Sequence, residues 1–455
     1  MRIRGPHRAG ETCLLVSSRR PRKVSEKLNA AASSLLRSTF RGAILALVGG
    51  GLVACGADAD DQATVRRVPE QYPTIQAAVD DAREGDLVLV GPGVYREAVV
   101  VDVDGLVLRG TDRTDVVLDG EDRLANGVAV TADGVAVENL TARRYQQNGV
   151  LFNGAVGDDG TRDPDAVYGS GDDALVGYRI SHVTVHNNGL YGVYAFAARG
   201  GLIEQVYASG HPDSGIYVGQ CKPCDVVVRD STAEYNAIGY YGTNASGGVY
   251  VVESVFAHNR LGITPNSQQM ELLAPQVETV IAGNLVVDNA AADAPAVADG
   301  FFGGGIAVGG GTADIVLRNR VTGHPSYGIG LVRLGMFTPE ANTVRDNVVT
   351  GNGIDLLYLP DPTIDHSGAN CFAGNTFVTS LPADIESLLT CPGSRRPVGP
   401  VAWEQAPPPP GPDYRDVPAP GPQPSMPGAA DAAWTRASAT PPAVDLDTIE
   451  VPAAP

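Results

Sequence analysis

Three tyrosines, Tyr194, Tyr217 and Tyr241, recur at intervals of 23 and 24 residues, each two positions after a glycine. Side chains alternate across an extended strand. If the residue directly after each glycine (Val193, Ile216, Tyr240) faces a core, the tyrosines face outward together. Stacked one strand spacing apart, they form a strip about 10 Å long. Such a strip suits stacking on sugar rings with phenol hydroxyls as hydrogen-bonding groups; an aromatic ladder that only stabilises the surface fits equally. Flanking the middle tyrosine are His211 and Asp213 on one side and Lys222 on the other, the latter set between Cys221 and Cys224. A histidine there could shuttle protons, or be a satisfied turn residue, and the ammonium, alone after residue 27, could anchor a substrate, accept a proton or fall there by chance. Arg260 stands two repeats beyond Asp213, where inverting hydrolysis would need a second carboxylate about 6.5–9.5 Å away. The set therefore fits lyase or epimerase proton transfer by Lys, Arg, His or Tyr better than paired-acid hydrolysis. An insertion carrying Asp158, Asp159, Asp163 and Asp165 has the oxygen density that Ca²⁺ takes, although a solvated acidic loop reads the same way.

What positions these residues is a repeat. Glycine followed by an apolar or aromatic residue returns at 127, 149, 192, 215, 239, 262, 305, 328 and 353. The unit is about 23 residues, with two longer steps that carry insertions. Each unit adds a second alternating run, such as Val226–Asp230, and a short third one. Three short strands per unit, turned by Asn and Gly, predict one coil of a parallel β-helix. Polar residues recur where the second and third runs meet: Asn139, Asp230, Asn284, Asn319, Asn347 and Asn375. They predict an internal asparagine ladder. Insertions at 153–177, 219–225, 242–248, 264–276 and 331–341 leave the coil at one corner and would wall the tyrosine strip. An amphipathic segment with Ile75, Ala78, Val79 and Ala82 on one face, closed by Gly85, predicts a helix that caps the first coil.

The mature chain is strongly acidic. Without the first 54 residues it holds 23 basic against 50 acidic residues, a net charge of −27. Such a body repels nucleic acid, and repels polyanionic glycans unless cations offset the field. Residues 41–55, RGAILALVGGGLVAC, join a basic flank to an apolar run too short to span a membrane. Export makes the compartment oxidising, and the four remaining cysteines favour two local disulfides, Cys221–Cys224 and Cys371–Cys391. From 393 the composition turns to Pro, Ala and Gly, with PPPPGP at 407–412, which predicts a disordered tail.

Two resemblances sharpen the expectation. Leu52-Val53-Ala54-Cys55 resembles the bacterial lipobox, which implies cleavage before Cys55 and lipidation of its sulfur. TIQAAV from Thr74 and GDLVLVGPGVY from Gly85 resemble the opening segment of pectin-lyase-like β-helix proteins, over roughly residues 66–392. That implies an all-β, right-handed parallel β-helix, with 1–54 a signal segment, 55–65 a tether and 393–455 the tail. The superfamily spans lyases, hydrolases, esterases, epimerases and non-enzymes, so it fixes no reaction. His211-Pro212-Asp213 is similar to the Asp-Pro-His-Asp element of mannuronan epimerases, in different order and length. The Gly-His-Gly and Asn-Thr-Asp elements of pectin hydrolases are absent from the sequence. The expectation is a monomeric, membrane-anchored extracytoplasmic lipoprotein that engages a polysaccharide or cell-wall glycan, with lyase or epimerase turnover left open. The competing expectation is a structural or adhesive solenoid that binds proteins through its loops.

Overall fold

The computed structural model describes residues 63–154, 174–269, 272–296, 302–359, 368–393, 401–405, 407–431 and 433–455, together with Asp361 and Val398. Its described strands form three parallel sheets of twelve, ten and eleven strands, here called I, II and III in the order each coil visits them. Every strand pairs with its counterpart one coil away. Val193, Ile216, Tyr240, Ile263, Ile306 and Ile329 lie in a single register column of sheet III and are fully buried in the main core. The alternation inferred from the glycine repeat is therefore correct in register. The apolar residue after each glycine lines the solenoid interior, where a buried aliphatic side chain contributes roughly 1.5–3 kcal/mol.

Glycine is required at the repeat for a steric reason. A Cβ on Gly215 would meet the Asn236 amide at 2.8 Å, and one on Gly239 the Gly262 carbonyl at 2.6 Å. Such a side chain would collide with the neighbouring coil.

Both ends are capped. Ile75–Asp80 forms the first helix, with Thr74 accepting from the Ala77 N–H (3.1 Å) and Ile75, Ala78 and Val79 buried against the core. The helix stops at Asp80, earlier than Gly85, which instead turns the chain at φ +79°. A second short helix, Ile385–Leu388, closes the other end with Ile385 and Leu389 buried.

Polar ladders run inside the corners. At the I-to-II corner each amide oxygen accepts from the previous rung's backbone and side-chain N–H, through Asn284, Asn319, Asn347 and Asn375. Glu386 of the second helix ends that series by accepting from Asn375 at 2.8 and 2.9 Å. Two expected members differ. Asp230 is in the left-handed region and half-exposed, and Ser231 and Ser254 take the ladder place beside it. Asn139 is buried, and its oxygen accepts from Ser425 and Met426.

Those last contacts correct the reading of the tail. The described residues between 401 and 455 include long stretches that lie against the solenoid. Arg109, Arg113, Arg179, Arg318 and Arg320 donate to tail carbonyls at Ala433, Pro424, Thr435, Leu446 and Pro452. The outer face of sheet I carries two apolar patches. Trp434 packs on Leu87, Leu89 and Val107, while Val444, Leu446 and Ile449 pack on Val227, Val252 and Leu317. Composition reads proline and alanine as solvated, but this segment has two apolar patches and a row of guanidinium donors to lie on.

Candidate functional site

The outer face of sheet III carries the tyrosines in register: Tyr194 opposite Tyr217, Tyr217 opposite Tyr241, Tyr241 opposite Thr264. Ring centroids are 4.6 Å apart for Tyr194–Tyr217 and 5.8 Å for Tyr217–Tyr241. The strip is wider than the sequence implied. Tyr191 stacks on Tyr194 at 4.3 Å and meets Tyr217 edge-on at 5.2 Å, and Phe196 stacks on Tyr194 at 5.6 Å. Tyr191 and Phe196 fall outside the repeat position used to find the others; the aromatic density of YGVYAF was the available signal.

Outward orientation does not make the whole strip accessible. Tyr217 and Tyr241 are only 3% and 7% exposed, whereas Tyr191, Tyr194 and Phe196 are half-buried. The accessible aromatic surface is therefore shifted toward the N-terminal coils. Burial holds the Tyr191 phenol well above its usual range, and the hydrogen-bonded Asp213 carboxylate raises it further. Tyr191 is thus a neutral donor that presents a hydroxyl beside a carboxylate.

Loops rise on both edges of sheet III. On the III-to-I side the chain leaves the sheet after Cys221, Ala245, Asn266 and Val332, as the insertion pattern anticipated, with the strands running further into 219–225 and 242–248. Gln268 of this wall donates to the Tyr241 hydroxyl at 3.4 Å. On the II-to-III side, the described residues 288–296 and 302–303 supply Ala294 and Phe302.

The expected catalytic residues do not converge. His211 is fully buried inside the II-to-III corner, in a ladder of Asn188, His211, Asn236, Asn259, Asn289, His324 and Asn352. Its Nδ1 meets Asn236 Oδ1 at 2.7 Å, and its Nε2 meets the Asn188 amide at 3.2 Å. Burial pushes its pKa down to about 3, and that of His324 to about 4. Both imidazoles are neutral substitutes for asparagine, not proton shuttles at a surface. His258, at the same spacing from its glycine, lies outside the ladder and stacks on Tyr235. The neighbouring Asn259 takes that rung.

Arg260 is 1% exposed and is also spoken for. It donates to the carbonyls of Ala294 (3.3 Å) and Pro409, and its guanidinium lies 4.9 Å from the Phe302 ring centre. It shares a register column with Asp213, two coils away. Lys222 is exposed beyond the far end of the Ser214–Cys221 strand, roughly 30 Å along the chain from Asp213. No single substrate atom could reach both. Cys221–Cys224 and Cys371–Cys391 form the expected disulfides. Cys55 and Asp158, Asp159, Asp163 and Asp165 lie outside the described residues.

Three stacked parallel sheets with internal polar ladders define a right-handed parallel β-helix, and the aromatic face of sheet III is its candidate binding surface. A family model described as "Right handed beta helix region" matches residues 126–273 and 165–344. No curated protein matches the chain. Among solved structures, the chain is similar to an A-module of a mannuronan C-5 epimerase from Azotobacter vinelandii (14% identity, 68% of this chain and 91% of that chain, TM-score 0.44). It is also similar to a pectate lyase (15%, 70% and 75%, 0.36) and to a lacto-N-biosidase from Eubacterium ramulus (11%, 67% and 64%, 0.42). These likenesses concern the fold.

Proposed function

We propose that this protein is an extracytoplasmic, lipid-anchored solenoid that binds an extracellular polysaccharide on the outer face of sheet III. The observation that carries the reading is the stack of Tyr191, Tyr194, Phe196 and Tyr217, fixed by strand register and partly open to solvent. Aromatic faces on a rigid sheet bind sugar rings with little entropic cost, since the rings are already ordered. The acidic body favours a neutral chain over a uronic one. The lipobox-like Leu52–Cys55 segment and the two disulfides support export and anchoring. Ca²⁺ on the acidic insertion and a monomeric state belong to the same proposal.

With His211 in the core, Lys222 remote and Arg260 engaged, lyase or epimerase chemistry would fall to the Tyr191–Asp213 pair. There the carboxylate could accept a proton from a bound ring while the neutral phenol donates a hydrogen bond. The alternative, an adhesive solenoid that binds proteins, draws support from exposed Leu272 and Met336 on loops of the III-to-I wall.

The test is binding of residues 56–455 to a panel of neutral and uronic polysaccharides, with and without Ca²⁺, with product analysis by mass spectrometry. Binding that Tyr194→Ala weakens at least tenfold, with the fold intact, supports the reading. Absence of binding by the wild type to every glycan sinks it and leaves the adhesive alternative. Lipidation is tested separately, by incorporation of labelled fatty acid that Cys55→Ser abolishes.

A further inference from the structure

A third polar ladder runs inside the III-to-I corner, beneath the loops that wall sheet III, and one of its rungs is a carboxylic acid. Asn342 shows the pattern. Its Oδ1 accepts from the Asp314 N–H at 2.8 Å, and its Nδ2 donates to the Gly311 carbonyl and to Asn370 Oδ1, both at 2.9 Å. Each asparagine rung therefore uses its oxygen as acceptor from the previous coil and its nitrogen as donor, to a carbonyl of the previous coil and, at Asn342, to the next rung.

Asp314 occupies the same place one coil earlier and is fully buried. Its Oδ1 accepts from the Thr279 N–H and from Gln276 Nε2, each at 2.7 Å, as a ladder oxygen should. Its Oδ2 stands where the other rungs carry an N–H donor, and it has no partner. Gln276 Oε1 is likewise without a donor. The two oxygens face one spot: a Cβ on Gly311 would meet Asp314 Oδ2 at 2.1 Å and Gln276 Oε1 at 2.4 Å. Two orphaned acceptors beside one spot, in dry surroundings, are costly, and a single proton shared between them would resolve both. Among the described residues no Arg, Lys or His is paired with Asp314. The charged neighbour that bears on it is Glu278, of its own sign, and Tyr240 faces it from the interior of sheet III. Burial, with Glu278 adding to it, pushes the Asp314 carboxyl up to about 7, against bonds from Gln276 and Thr279 that lower it.

The rung is connected to the wall of the candidate groove. Gln276 donates its backbone N–H to Ser267 Oγ (2.9 Å), and Ser267 Oγ donates to the Gly310 carbonyl (2.8 Å). The next residue, Gln268, reaches the Tyr241 hydroxyl, and Asn244 Nδ2 donates to its carbonyl at 3.0 Å.

We propose that Asp314 is a neutral carboxylic acid in the folded protein, donating from Oδ2 to Gln276 Oε1, and that its ionisation loosens the wall residues 267–269 and 272–276 beside Tyr241. The proton-holding rung stands on its own geometry; only the consequence for ligand access rests on the reading of sheet III as a glycan groove. Loss of the proton places two oxygens, one charged, against each other. The Gln276 side chain must then turn away, which disturbs the residue whose backbone N–H holds Ser267 Oγ.

The decisive variant is Asp314→Asn, which supplies the N–H donor the ladder calls for and removes the titration. Urea melts of the mature chain between about pH 4 and pH 8 should diverge. The wild type's folded-to-unfolded ratio should fall, relative to Asp314→Asn, by up to about a thousandfold as pH rises, since each pKa unit is a factor of ten. The wild type should also show the infrared carbonyl stretch of a protonated acid near neutral pH, absent in Asp314→Asn. Amide exchange in 267–269 and 272–276, corrected for intrinsic rates, should speed up above pH 7 in the wild type alone. Parallel melts, or no acid stretch, overturn the proton-holding rung whatever the glycan experiments give. Divergent melts with pH-independent exchange overturn the coupling to the wall. Failure to bind any glycan would leave all three readouts unchanged.

Discussion

Replacement of His211 by asparagine separates a structural histidine from a catalytic one. The imidazole makes two side-chain ladder bonds: Nδ1–H to Asn236 Oδ1, and Nε2 from the Asn188 amide. His211→Ala removes both and leaves a cavity. At about 1 kcal/mol per bond, plus the lost packing of a buried ring, it should cost about 3–4 kcal/mol at pH 7. Asparagine offers an oxygen and an N–H in the same sense, as Asn259 does between Asn236 and Asn289. His211→Asn should therefore stay within about 1 kcal/mol of the wild type at pH 7. The two then part company in acid. His211 titrates at 6.5 when unfolded and at about 3 when folded. Its neutral form costs nothing above pH 6.5, and stability is lost progressively as pH falls from there toward 3, because the unfolded chain takes up the proton. At pH 5 the loss is about 1.5 units, or about 2 kcal/mol at about 1.36 per unit. Urea melts at pH 7 and pH 5 should thus show His211→Asn losing about 2 kcal/mol less than the wild type on acidification. If His211→Asn matches the wild type's pH dependence, or is as damaging as alanine at pH 7, the ladder account is wrong. If a glycan product disappears in a well-folded His211→Asn protein, His211 returns to the chemistry.

Other outcomes follow from the packing. Glu138 bridges Arg109 (2.7 Å) and Arg179 (2.7 Å) on the outer face of sheet I, with side chains of Arg109 and Glu138 almost fully covered. Glu138→Gln leaves a buried guanidinium short of its counter-charge and should cost about 3–5 kcal/mol in a urea melt. Trp434→Ala should free the tail near the first coils, seen as faster tryptic cleavage after Arg436 with an unchanged far-ultraviolet spectrum; an unchanged cleavage rate would refute the Trp434 anchor. The Cys371–Cys391 bridge spans 20 residues and ties down the C-terminal cap. Cys391→Ser should lower stability by about 3 kcal/mol on the chain-entropy argument, and a calorimetric scan with no shift would contradict that.

The coil, the register of the glycine repeat, the N-terminal cap, the I-to-II ladder and both disulfides were legible in the chain because each depends on local spacing. Alternation within one strand fixes which side chains point in, and a repeat of 23 forces equivalent residues into columns. His211 was misread for a local reason. Whether a polar residue near a strand end sits inside a corner or outside it turns on one residue of turn geometry, and His211 and His258 share a spacing yet fall on opposite sides. The placement of Lys222, Asp213 and Arg260 relative to one another likewise needs the length of the strand between them and the identity of the chain lying across them.

What the sequence by itself determined is therefore periodic: a parallel β-helix, its core column of Val193, Ile216, Tyr240 and Ile263, and the outward row of Tyr194, Tyr217 and Tyr241. Only the tertiary structure decided which of those tyrosines water can reach, that Pro409 occupies Arg260, and that Asp314 fills an asparagine's place. Those facts depend on contacts between segments up to about 150 residues apart, as for Arg260 and Pro409. Periodicity records how a coil meets its neighbour, and it carries no information about a non-repeating segment that comes to lie across them.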